Sequence, residues 1–91
     1  MLEEVKEYLK ITWDDEDNSL TNMIERGKNN LEELTGTTLD FTANNQAKSL
    51  LLDYCRYAYN SALEYFEENF YKEITRLQLS EAVKDYALKK E

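Results

Sequence analysis

Leu20, Met23, Ile24, Gly27, Leu31 and Leu34 recur at +3, +4, +7, +11 and +14, a spacing that gathers all six on one face of an α-helix. The stripe is punctuated at both ends. Ahead of it, the run Trp13-Asp14-Asp15-Glu16-Asp17 places carboxylates where backbone N–H groups lack partners and carry partial positive charge. A helix is therefore predicted near residues 15–35, with Asp14 as its cap and Trp13 packing on the following turn as a hydrophobic staple. Behind the stripe, Gly36 supplies a left-handed stop. A chain with no proline, two glycines and few Val or Ile has little to break helices and little to build a sheet, so all-α is the expected class.

The same periodicity recurs elsewhere. Leu2, Val5, Tyr8 and Leu9 mark a short helix over residues 2–10, with Glu3 and Glu4 favourably placed at its N-terminus. Residues 36–42 read as a loop in which Leu39 and Phe41 anchor into the core and Thr42 caps the next helix. That helix carries Ala47, Leu50, Leu51, Tyr54, Cys55 and Ala58 on a broad apolar face and runs to about residue 59. Ser61 and Glu64 have capping-box spacing, which predicts a break with Ser61 as cap; a continuous helix through this point is the alternative. Beyond it Leu63, Phe66, Phe70, Ile74 and Leu77 form one stripe, while Leu79, Val83, Tyr86 and Ala87 form another displaced around the axis. A kink near 78–80, or a helix touching two partners, explains the displacement. The expectation is a compact bundle of about four main helices, with a short separate fifth at the C-terminus as the variant, in one domain over residues 1–91 with a radius of gyration of about 12 Å.

A net charge of −8 argues against sequence-specific nucleic-acid binding, which needs clustered Lys and Arg, and the eleven basic residues read as scattered. An acidic surface is compatible with lining a passage through which DNA slides without sticking. No apolar run is long enough to span a bilayer and no secretory signal follows Met1, so a soluble intracellular product is expected. The single cysteine, Cys55, lies on an apolar face and reads as packing. Catalysis has no foothold, because there is no His, no base beside Cys55 and no glycine-rich phosphate loop; no catalytic residue, cofactor or metal is predicted. Asp14, Glu16, Asn18, Asn22 and Glu25 do fall at calcium-loop positions, but Ser19 stands where the sharp turn wants Gly and the helical stripe starts at once. A small divalent-ion enzyme built on Asp14–Asp17 is accordingly the least supported reading.

Seven of the eleven aromatics fall between Tyr54 and Tyr71. Tyr57, Tyr59, Tyr65 and Tyr71 lie off the apolar stripes and are the candidate interface residues, since tyrosine joins a large apolar body to a hydrogen-bonding tip; simple surface snorkelling is the competing explanation.

Taken in order, Leu9-Lys10-Ile11-Thr12-Trp13-Asp14-Asp15-Glu16-Asp17, Leu20 with Ile24, Leu34-Thr35-Gly36, Leu50-Leu51-Leu52-Asp53-Tyr54 with Arg56-Tyr57, and Asn60-Ser61-Ala62-Leu63-Glu64 with Phe66 resemble the small head-tail connector family of tailed bacteriophages. The resemblance spans roughly residues 5–80. It implies a structural virion protein that forms a ring, generally twelve-fold, beneath the portal protein at the head-tail junction. Such a ring extends the DNA channel and docks the next connector, a stopper or tail-completion protein, after synthesis in the bacterial cytoplasm. No catalytic residues or cofactors come with the family. The competing function is an acidic helical regulator that covers a basic protein surface as a DNA mimic, which requires carboxylates in a contiguous phosphate-like array.

Overall fold

Each apolar stripe closes on a neighbour, and the order of the helices decides which. The computed structural model describes residues 1–89. Helix α1 spans Leu2–Leu9, α2 Asp17–Thr35 and α3 Gln46–Tyr59; a 3₁₀ turn at Leu63–Tyr65 leads into the one-turn α4, Phe66–Asn69, and α5 spans Tyr71–Lys89. No strand occurs among the described residues. The all-α class is as expected, but the division after Tyr59 differs. The break takes the form of the 3₁₀ turn and α4, the C-terminal segment is one continuous helix over Tyr71–Lys89, and the count of five helices is broadly that expected.

Helices α2 and α3 form the central pair, on which α1 and α5 both pack. Ile24 and Leu31 of α2 share one core cluster with Leu50, Leu51, Tyr54 and Cys55 of α3, closed by Val5 of α1 and Ile74 and Leu77 of α5, and Leu20 of α2 is buried as well. Gly27 stands in mid-helix because a Cβ there would lie 2.7 Å from both Leu51 Cδ1 and Tyr54 Cδ1, so the two helices cross where only a hydrogen fits. Leu39 and Phe41 anchor the α2–α3 loop, and Glu32 secures it by accepting the Leu39 N–H at 2.9 Å. Gln46 Nε2 donates to the Glu73 carbonyl at 3.0 Å and Gln78 Nε2 to the Leu34 carbonyl at 2.8 Å, pinning α5 to the start of α3 and the end of α2.

Helix ends are where the sequence reading needs correction. Gly36 closes α2 with φ 72° and its N–H on the Glu32 carbonyl. Asp14, however, does not cap α2: the N-cap position is Glu16, without a side-chain cap, and the Asp14 carboxylate instead takes the ammonium of Lys6 at 2.6 Å. Asp17 takes the same ammonium at 2.8 Å. The buried Lys6 thus bolts α1 to the start of α2, and those two hydrogen bonds, Asp14's foremost, hold its pKa above the ordinary lysine value. Trp13 is 47% exposed and no staple; its indole N–H donates to Glu16 at 2.7 Å. Thr42 lies four residues before α3 and donates its N–H and hydroxyl to Asp40 Oδ1, while Asn45 caps the helix by accepting the Lys48 N–H at 2.9 Å. The Thr42 hydroxyl and then its N–H hold the Asp40 carboxyl below the usual carboxylate range.

Ser61 ends α3 and begins nothing. With φ 56°, it is followed by Ala62, whose N–H reaches back to the Tyr57 carbonyl at 2.9 Å. Lys10 repeats the device after α1, with φ 61° and the Ile11 N–H on the Lys6 carbonyl at 2.8 Å. Both are Schellman closures made without glycine, and the buried Ile11 supplies the apolar contact that accompanies such a turn. The radius of gyration, 14.0 Å, exceeds the expected value, and the extents are 48 × 25 × 18 Å. A 19-residue helix is about 28 Å long, and α5's buried apolar contacts stop at Leu77, so its second half lengthens the molecule.

Candidate interaction surface

The four off-stripe tyrosines fall into two kinds. The Tyr57 ring meets Phe66 and Phe70 edge-on at centroid distances of 6.0 and 5.4 Å, and its hydroxyl accepts from Asn69 Nδ2 at 2.9 Å. Tyr59 donates its hydroxyl to Glu16 Oε2 at 2.8 Å, the carboxyl that also holds Trp13, and this bond raises the Tyr59 pKa. Both rings are therefore committed to contacts inside the subunit. Tyr65 and Tyr71 are 54% and 70% exposed. Tyr57 and Tyr65 line an open groove of about 360 Å³ with Arg56, Asn60, Ala62 and Asn69, and the Arg56 guanidinium sits 4.9 Å over the Tyr57 ring. Tyr59 and Tyr71 do not line this groove, so the four do not form one patch.

A second apolar surface lies on α5. Ile74 and Leu77 face the core, whereas Leu79 and Val83, 62% and 66% exposed, and the exposed Tyr86 lie on the other side of the helix, since 74 and 83 are half a rotation apart. The displaced stripe seen in the sequence is thus an outward face on a continuous helix; the Ala87 side chain, Lys90 and Glu91 lie outside the described residues. Lys72 and Arg76 belong to the same stripe. Counted from Lys72, the positions 72, 76, 79, 83 and 86 run +4, +7, +11 and +14, nearly the spacing that the core face of α2 uses. The basic residues, scattered over the chain as a whole, are unevenly balanced: residues 1–70 carry six Lys and Arg against fifteen Asp and Glu, while residues 71–91 carry five against four. The acid load belongs to the body of the bundle, and α5 presents cations beside apolar side chains.

Chemistry is otherwise spare. Burial pushes the Cys55 thiol up to about 12, which keeps it protonated among its apolar neighbours. Residues 17–25 are helical where a calcium loop would have to turn, and among the described residues no group of three His, Cys, Asp or Glu is placed to hold a metal ion. Among the described residues no helix is long and apolar enough to cross a membrane. What the molecule offers is surface.

The family model of phage gp6-like head-tail connector proteins matches residues 1–91, the whole chain. The chain belongs to this family of phage connectors. No curated protein and no solved structure matches it. A connector is a structural component, and an outward apolar face on its last long helix is the kind of feature that joining requires.

Proposed function

We propose that this connector is a subunit of a ring at the head-tail junction of the virion, twelve-fold, seated beneath the portal protein, extending the DNA channel and docking the next stopper or tail-completion protein. The observation that carries the reading is the family match over residues 1–91. The outward stripe of α5 and the exposed Tyr65 and Tyr71 supply surfaces that such an assembly can cover. A ring multiplies modest contacts, so no single interface has to be strong once the portal templates the first copies. The net charge of −8 suits a channel through which DNA must pass without adhering. The regulator reading gains no support, because the acids are spread over α1, the α1–α2 loop, α2 and α4 instead of forming one phosphate-like array.

Deletion of the gene from the phage or prophage that carries it is expected to leave filled heads and free tails that do not join, and expression of the chain in trans to restore joining. Tyr65→Ser with Tyr71→Ser tests the surface, since these rings make no aromatic stacking contact within the subunit, unlike Tyr57. The double variant should keep its helix content and lower the yield of joined particles. Tailed particles in normal numbers from the deletion strain would sink the connector reading; normal numbers from the double variant alone would remove those tyrosines from the interface.

A further inference from the structure

The charge division and the layering of the helices together point to how one copy meets the next. Helix α1 packs on α2 and α3, tied to α3 by the Lys48–Glu4 ion pair and by the Tyr8 hydroxyl on Asp53 at 2.6 Å. Helix α5 packs on the same two helices, through Gln46 and Leu34. Their outward faces differ sharply. That of α1 shows Glu3 and Glu7, one turn apart, and the half-exposed Trp13 lies just beyond its end. That of α5 shows Lys72 and Arg76, also one turn apart, followed by Leu79 and Val83. None of these four charged groups makes an ion pair with a described residue of its own chain.

We propose that the outward face of α5 seats against the outward face of α1 on a second copy of this chain, with the two helices parallel, Lys72 opposite Glu3 and Arg76 opposite Glu7. The inference rests on the ring reading and assigns its subunit contact. Residues i and i+4 are about 6 Å apart along either helix, so both pairs can form in one register. In that register Leu79 and Val83 run on past the end of α1 towards Trp13, burying apolar surface behind the two charge pairs. The two faces are unlike, so the contact is heterologous: each copy offers α5 to one neighbour and α1 to the other, which yields a ring when the rotation closes and not an isolated dimer. Rim charges of this kind set register and are weakened by salt.

Native mass spectrometry of the full chain over a concentration series in low-salt volatile buffer tests the contact, using K72E/R76E, E3K/E7K and the four-fold combination, each first checked for unchanged helix content. Wild-type chain should give closed oligomers, each reversal should weaken assembly about 10-fold or more by setting like charges face to face, and the combination should recover it. Oligomers indifferent to both reversals, a combination that stays dissociated while folded, or a wild-type chain that is monomeric throughout would each overturn the α5–α1 contact. The tail-joining assay reads the connector role separately, so restored joining by a chain whose oligomers ignore these charges would discard the contact and keep the role.

Discussion

Helices α2 and α5 are both 19 residues long, and each carries a stripe at +4, +7, +11 and +14, yet the two stripes have opposite fates. In α2 the stripe is Leu20, Ile24, Gly27, Leu31 and Leu34, and it is covered by α3 and the neighbouring helices. In α5 the stripe is Lys72, Arg76, Leu79, Val83 and Tyr86, and every member is exposed. Helix α5 meets the core with a second, smaller set, Ile74 and Leu77. Periodicity alone therefore announces a face, and only the count of faces announces whether the subunit is complete. One apolar side per helix is satisfied within a bundle; two sides on one helix leave a surface for something else to cover.

The widest separation between the two helices should appear in stability. Leu31 is fully buried, and Leu31→Ala removes its transfer energy and leaves a cavity, a loss of about 3 kcal/mol. For a domain of this size that lowers the melting temperature by roughly 15 °C. Leu79→Ser with Val83→Ser should stay within about 0.5 kcal/mol per site, because neither side chain is packed within its own subunit, while assembly weakens. Thermal melts at equal concentration, run beside native mass spectrometry, check both halves. A double variant that melts as low as Leu31→Ala would erase the contrast.

A smaller effect is expected where α2 touches α3 most closely. Ordinarily Gly→Ala in mid-helix gains up to about 1 kcal/mol of propensity. At Gly27 the new methyl would meet Leu51 and Tyr54 at 2.7 Å, and both are buried, with the Tyr54 ring lying edge-on to Phe66 at 5.4 Å. Overpacking should outweigh the propensity gain, for a net loss of about 1 kcal/mol measured by urea denaturation. Stabilisation by Gly27→Ala would show that the crossing relaxes easily and that α2 is less tightly finished than its burial implies.

These contrasts also show what was legible in the sequence. Burial follows the 3.6-residue period, so the faces of α1, α2 and α3 could be read directly, and so could the fact that α5 had two. Caps were harder. Thr42, Asn44 and Asn45 are all competent within four residues, but α3 begins at Gln46, so Asn45 is the one that stands at the N-cap and accepts the Lys48 N–H. Asp14 has the right chemistry for a cap, but Lys6, eight residues away, takes its carboxylate only once α1 has docked. Tyr59 is hard to place for the same reason: it finds Glu16 across 43 residues of chain, a partner that no local pattern marks. Lys72 and Arg76 are plain as residues but not as a surface, because the net charge of a chain carries no information about its faces.

The ion cluster at Lys6 offers the finest test of the contrast between covered and uncovered charge. Its two carboxylate partners raise the Lys6 pKa above the ordinary 10.5, so the folded chain holds that proton more tightly than the unfolded one. Stability from this source is fully present below pH 10.5 and is lost as pH climbs through the folded value. Tyr8 and Tyr59, raised from 10.0 chiefly by donating to Asp53 and Glu16, act in the same direction. The Cys55 thiol, which burial raises from 9.0 to about 12, acts in the same direction from a lower pH, so the melting temperature should hold level from neutrality to about pH 9 and then fall. Lys6→Met should lower the curve and flatten part of that alkaline fall, because the cluster has no proton left to lose. Lys72→Met, which removes an exposed cation from α5, should leave the shape of the curve as it is. An alkaline limb of equal steepness in wild type and Lys6→Met would mean that the buried Cys55 thiol and the tyrosine pairs account for it, and that burying Lys6 distinguishes it from the α5 cations in place but not in energy.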